Sequence, residues 1–117
     1  MQRGGQAAAG QSKPATPQSK HVISRINENQ GLVRYAERAG KNPILQGKLD
    51  ALTSQLTKGE ISAPNHQLFG DVWEIKERGE GARVYYRKTA EGFEILAKSN
   101  KPDQPQVISI LEKMYGN

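Results

Sequence analysis

The segment VWEIKERGEGARVYYRKTAEGFEILAK, Val72 to Lys98, alternates in side-chain character residue by residue and is broken by two short turns, Gly79-Glu80-Gly81 and Ala90-Glu91-Gly92. A period of two marks half-buried strands. It predicts strands over Val72–Arg78, Ala82–Lys88 and Phe93–Lys98. Links this short cannot carry a parallel crossover, so the three runs are expected to form an antiparallel meander.

The flanking sequence has a helical period. Residues 21–40 read as a helix with Val22, Ile26, Val33 and Ala36 on one stripe and Gly40 just past its end, although Gly31 weakens it. A second helix is expected from Asn42, a good N-cap, with Pro43 at its first position. Leu45, Leu49, Leu52 and Leu56 follow at spacings of 4, 3 and 4, and Gly59 closes it. A short link makes the pair an antiparallel hairpin. ISAPNHQ reads as a turn, NKPDQPQ as a loop, and a last helix opening at Pro105 carries Val107, Ile108, Ile110, Leu111 and Met114. The expected fold class is α+β: an N-terminal helical hairpin on one face of a small antiparallel meander of three or four strands, with a C-terminal helix.

Residues 1–20 have no large apolar side chain after Met1 and read as a disordered linker or tail, leaving one domain over residues 21–117. The chain has no cysteine, which excludes disulfides, zinc–thiolate sites and thiol redox chemistry. No apolar run is long enough to span a membrane, and no signal-peptide core is present. The two histidines and scattered acids lack metal-ligand spacing, so neither a metal nor another cofactor is expected. HExxH, P-loop, GxSxG and dinucleotide fingerprints are absent.

The net charge of +5 favours a polyanionic partner. Yet residues 61–117 carry eight bases and eight acids, so charge must be sorted onto faces. Alternation does this. One face takes Trp73, Ile75, Val84, Tyr86, Phe93 and Ile95 against the helices. The other displays Lys76, Arg78, Arg83, Arg87 and Lys98 with Tyr85 among them, and Lys101 follows in the loop. An uncovered face with these cations suits a phosphodiester, and Tyr85 suits a base or a phosphate oxygen. The plain alternative is an ordinary solvated face.

The stretches VWEIKER, GARVYYR and EILAKSNK resemble the sheet of RelE/ParE-superfamily toxins, over roughly residues 22–117. That superfamily belongs to the wider barnase–EndoU–colicin–RelE group, which includes tips of contact-dependent inhibition (CdiA-type) and other polymorphic toxins. The small-residue N-terminus is similar to the junction ahead of such delivered domains. The resemblance implies a bacterial toxin that blocks translation as a metal-independent endoribonuclease on tRNA or on mRNA at the ribosome. It acts in the bacterial cytoplasm, either as a free toxin or delivered there from a secreted or cell-surface parent. It also implies a cognate immunity protein or antitoxin. In this comparison Lys76 matches a catalytic lysine and Arg78 a basic residue near the strand end. Arg83 matches the arginine that contacts the scissile phosphate, and Lys98 or Lys101 a basic residue after the third strand. Tyr115 is the one candidate for a C-terminal tyrosine. Glu74 stands where mRNA-cleaving members often carry Lys.

Transesterification needs a base for the 2′-OH and an acid for the leaving oxygen. His66, in the loop before the first strand, and Glu74, beside Lys76, are the candidates; a cross-strand pair with Arg83 or Arg87 is the plain reading of Glu74. The expected constellation is therefore Lys76, Arg78, Arg83, Lys98, His66 and Glu74 for catalysis, with Tyr85, Arg87, Lys101 and Tyr115 binding substrate. A ParE-like toxin acting on gyrase and a noncatalytic RNA-binding module are the alternatives.

Overall fold

Five strands and three helices make an α+β fold in the computed structural model, which describes residues 21–116. The elements are β1 (His21–Ser24), a 3-10 turn (Ile26–Glu28), α1 (Gln30–Gly40), α2 (Pro43–Lys58), β2 (Asn65–Phe69), β3 (Val72–Lys76), β4 (Arg83–Lys88), β5 (Gly92–Ser99) and α3 (Gln104–Tyr115). The sheet runs β1-β5-β4-β3-β2. The tail read over residues 1–20 lies outside the described residues.

The clearest local signals become structure unchanged. Asn42 Oδ1 accepts from the backbone N–H of Ile44 and Leu45 at 2.9 and 3.2 Å, and Pro43 opens α2. Leu45, Leu49, Leu52 and Leu56 are all buried, each such side chain contributing about 1.5–3 kcal/mol of hydrophobic stabilisation. Gly59 ends the helix at φ 72°, a left-handed conformation that favours glycine.

Residues 21–40 do not form one helix. Helix α1 begins only at Gln30, where Asn29 Oδ1 accepts from the Leu32 N–H at 3.1 Å. Before it, β1 pairs in parallel with β5, Val22 opposite Phe93 and Ser24 opposite Ile95. Val22-Ile23 suits a strand as well as a helix, and the free edge of β5 supplies the ladder. A Cβ at residue 92 would collide with the backbone of His21, so Gly92 permits this approach. A strand thus precedes the two helices, and the sheet is mixed rather than a pure meander.

The turn expected at ISAPNHQ also contains a strand. β2 pairs antiparallel with β3 at the sheet edge, and Gln55 of α2 fixes its lead-in by accepting from Ser62 and Ala63 N–H at 2.9 and 3.0 Å. An edge strand exposed at Asn65, His66 and Gln67 needs no apolar alternation, so that signal was missing.

The first face forms as the alternation required: Ile75, Val84, Tyr86, Phe93 and Ile95 are buried and Trp73 is half-buried. Helix α1 packs against β5 and touches both α2 and α3. The opposite face is not open. α3 lies over it, Gln104 bonding Glu74 at one end and the Tyr115 ring lying against Arg87 at the other. Val72, Tyr85 and Leu96 provide apolar surface there for Val107 and Leu111 to cover, and all five are fully buried. No helix among the described residues is long and apolar enough to cross a membrane.

Candidate functional site

The register of β2, β3 and β4 lays polar residues across this second face in two rows. His66 stands opposite Glu74 and Glu74 opposite Tyr85; in the next row Lys76 stands opposite Arg83 and Arg83 opposite Ser99. His66 therefore belongs to a paired strand rather than to a loop.

Glu74 is at the centre and is completely buried. Its Oε2 accepts from Gln104 Nε2 at 2.7 Å. His66 Nε2 lies 3.3 Å from Oε1, and Arg83 Nε lies 3.8 Å from Oε2. Neither contact has hydrogen-bond geometry: Glu74 Oε1 and Arg83 Nε are both buried without a hydrogen-bond partner. A carboxylate taken wholly out of water persists only beside compensating cations and donors. Here it is held by one neutral amide and two loosely placed bases. His66 is the solvent-facing member, with 47% of its side chain exposed, whereas the Arg83 side chain is 8% exposed. Arg83 was expected to be solvent-facing, but α3 and the 100–103 loop close over this face.

The loop that sets Gln104 is itself ordered by polar contacts. Asn100 Oδ1 accepts from Asp103 N–H at 2.8 Å, and Arg38 of α1 bonds both Asp103 carboxylate oxygens at 3.0 and 3.2 Å. Ser99 Oγ donates to the Asn100 carbonyl at 2.8 Å, so the Tyr85 hydroxyl, 2.9 Å away, donates to Ser99. Burial pushes the Tyr85 hydroxyl well above its ordinary range. Tyr85 is fully buried and cannot stack on a base, which overturns its expected binding role.

Other expected members are elsewhere. Arg78 lies beyond the end of β3, exposed in the turn. Lys98 is on the opposite face: β5 has a bulge at Leu96, with Tyr86 opposite Ile95 but Tyr85 opposite Ala97, so Lys98 falls opposite Val84. One inserted residue reverses the alternation. Lys98 instead lines a hollow of about 670 Å³ with Ser24, Val33 and Lys41. Lys101 is exposed next to Gly81, at the start of β4 and on the Arg83 side.

Arg87 and Tyr115 belong to a second cluster. Arg87 Nε donates to Glu94 Oε1 at 2.6 Å, Arg25 Nε lies 3.0 Å from Glu94 Oε2, and Arg25 also binds Glu28 at 2.7 Å. The Arg87 guanidinium sits 4.8 Å from the Tyr115 ring centre. The hydrogen bond from Arg87, with the nearby Arg25 guanidinium adding to it, holds the Glu94 carboxyl below its usual range against the opposing effect of burial. Burial raises the Tyr115 hydroxyl, with Glu28 adding to it.

The structure thus brings together His66, Glu74, Lys76 and Arg83, with Lys101 alongside, and separates Arg78, Lys98, Arg87 and Tyr115 from them. Sequence reading missed Gln104 and Ser99. Gln104 precedes Pro105 at a helix start, a position with no local signal for contact with β3. Among the described residues no group of three or more His, Asp or Glu is arranged to hold a metal ion. The chain matches no protein-family model, no curated protein and no solved structure.

Proposed function

We propose that this chain is a bacterial toxin domain of RelE-like arrangement that cleaves RNA without a metal ion, by attack of a ribose 2′-OH on the adjacent phosphate. One observation carries the reading: a half-exposed imidazole set against a wholly buried carboxylate, one cross-strand row from Lys76 and Arg83. In the reaction a small turn of the imidazole would let Nε2–H donate to Glu74 Oε1, 3.3 Å away, which leaves Nδ1 with the lone pair for substrate. Nδ1 takes the 2′-OH proton, the 2′ oxygen bonds to phosphorus, and the bond to the 5′ oxygen breaks. The Lys76 ammonium gives a proton to that departing oxygen. Arg83, whose side chain is 8% exposed, supplies one guanidinium donor to a nonbridging oxygen. The products are a 2′,3′-cyclic phosphate and a 5′-hydroxyl. The resemblance of VWEIKER, GARVYYR and EILAKSNK to RelE/ParE toxins supports the toxin assignment, action in the bacterial cytoplasm, and neutralisation by a cognate immunity protein or antitoxin.

The test is cleavage of an unstructured oligoribonucleotide in EDTA by wild type, His66→Ala and Glu74→Gln. Cyclic phosphate ends are expected, with His66→Ala still folded by circular dichroism but slower by about 10²–10⁴-fold. Cleavage that requires a divalent ion, or His66→Ala of full activity, would overturn the mechanism. An oligonucleotide that is bound but never cut would favour a noncatalytic RNA-binding module.

A further inference from the structure

The face opposite the His66–Glu74 row carries a cavity of about 400 Å³ that the proposed chemistry does not use. Trp73, Tyr86, Phe93 and Ile61 form its apolar wall, and Asn65 and Lys88 stand at its rim. Tyr86 and Phe93 are core residues packed edge to face, ring centres 5.5 Å apart. Trp73 is only half-buried, so part of its indole remains available to the cavity. Asn65 and Lys88 are exposed. The Asn65 amide donates to the Ala63 carbonyl at 3.2 Å, and among the described residues nothing donates to its Oδ1. A smaller hollow of about 300 Å³ at the β4–β5 turn shares Lys88 and Phe93 with this one.

An aromatic wall, an amide acceptor and an ammonium group are the set that receives one unstacked nucleotide: the ring stacks on the base, the amide reads its edge, and the cation pairs with phosphate. The topology ties this set to the reaction. Asn65 and His66 are neighbours on β2, alternation sends them to opposite faces, and no described strand lies outside β2. A single strand draped over this edge has its phosphate at His66 and a neighbouring base at Trp73. We propose that the cavity is a nucleobase subsite for a nucleotide next to the scissile phosphate, which makes unpaired RNA the substrate class. The inference rests on the ribonuclease reading above, since the same strand must reach His66.

Trp73 is the sole tryptophan of the chain, so its fluorescence reports occupancy directly. The probe is a 2′-O-methyl oligoribonucleotide, which cannot be cut by 2′-OH attack. Binding to wild type is followed by probe anisotropy and, separately, by tryptophan emission. The expected result is quenching with the same midpoint as the anisotropy change, abolished when one probe nucleotide is abasic. Lys88→Ala and Asn65→Ala, both at exposed positions, should weaken binding several-fold, and Trp73→Ala by about tenfold or more. In cleavage assays these variants should raise KM and leave kcat within about twofold, whereas His66→Ala should keep the quenching. Probe binding with unaltered tryptophan emission, indifferent to Lys88→Ala and Asn65→Ala, would overturn the subsite while leaving the ribonuclease reading intact. A probe that binds by neither measure would overturn both.

Discussion

Two polar clusters share one face of the sheet and the same residue types, yet they are built differently. Around Glu94, Arg87 and Arg25 lie 2.6 and 3.0 Å from the two carboxylate oxygens, and Arg25 is paired again to Glu28. Every acid has a close base, and the cluster clips β1 and the sheet together beside the end of α3. Around Glu74 the bases stand back at 3.3 and 3.8 Å, an amide provides the one hydrogen bond, and both a carboxylate oxygen and Arg83 Nε are buried without a partner. At Glu94, by contrast, the carboxylate oxygens are both approached closely, and Arg25 Nε alone of the charged atoms lacks hydrogen-bond geometry. Close ion pairs, with both carboxylate oxygens approached within 3.0 Å, resist motion. Loosely compensated charge beside an exposed imidazole is a costly arrangement for stability alone, and such arrangements concentrate where chemistry is done.

The largest effect that separates the two concerns the central acids. Glu74→Ala leaves Arg83 buried without a counter-charge and should cost about 3–5 kcal/mol in chemical denaturation. Glu94→Ala, whose arginines are partly exposed and can turn to water, should cost clearly less; equal losses would erase the distinction. Next come the arginines. Arg83→Ala should lower RNA cleavage by a hundredfold or more, about 3 kcal/mol of transition-state stabilisation, and take some stability with it because the residue is buried. Arg87→Ala should keep its activity. An inactive but folded Arg87→Ala would move the active site to the other cluster.

Acid unfolding sharpens the contrast. The hydrogen bond from Arg87, together with the nearby Arg25 guanidinium, depresses the Glu94 carboxyl below its ordinary 4.5. The unfolded chain therefore takes up its proton first, so this contribution is present in full above that value and is lost as the pH falls through the lower folded value. Melting curves between about pH 3 and 6 should show a shallower decline for Glu94→Gln than for wild type. The smallest expected effect is at Tyr115, whose hydroxyl is buried with no partner. Tyr115→Phe removes an unsatisfied group and should be neutral or stabilising by up to about 1 kcal/mol, with cleavage unchanged. Lost cleavage there would return Tyr115 to the catalytic set.

How much was legible follows from where each signal is stored. The N-cap, the leucine stripe and the glycine of α2 are contiguous, so the helix could be read residue by residue. The same holds for β3 and β4, and with them the placement of Glu74, Lys76 and Arg83 on one face. His66 was legible as a candidate by its chemistry, but not as a strand residue opposite Glu74. Lys98 was misplaced because the Leu96 bulge leaves no mark in a pattern that continues past it. Tyr85 was read as exposed because nothing in β4 announces that α3 will cover it.

By itself the sequence determined the second helix, the three central strands with their turns, and the sharing of one sheet face by an acid and two bases. Each of these depends on side chains within a few positions of one another, where period and capping chemistry act directly. The tertiary structure alone decided the parallel pairing of β1 with β5, the edge pairing of β2, the turning of Lys98 to the other face, and the closure of α3 over Glu74. Those outcomes are set by free ladder edges and uncovered apolar surface far away in the chain, which choose among local conformations of nearly equal energy.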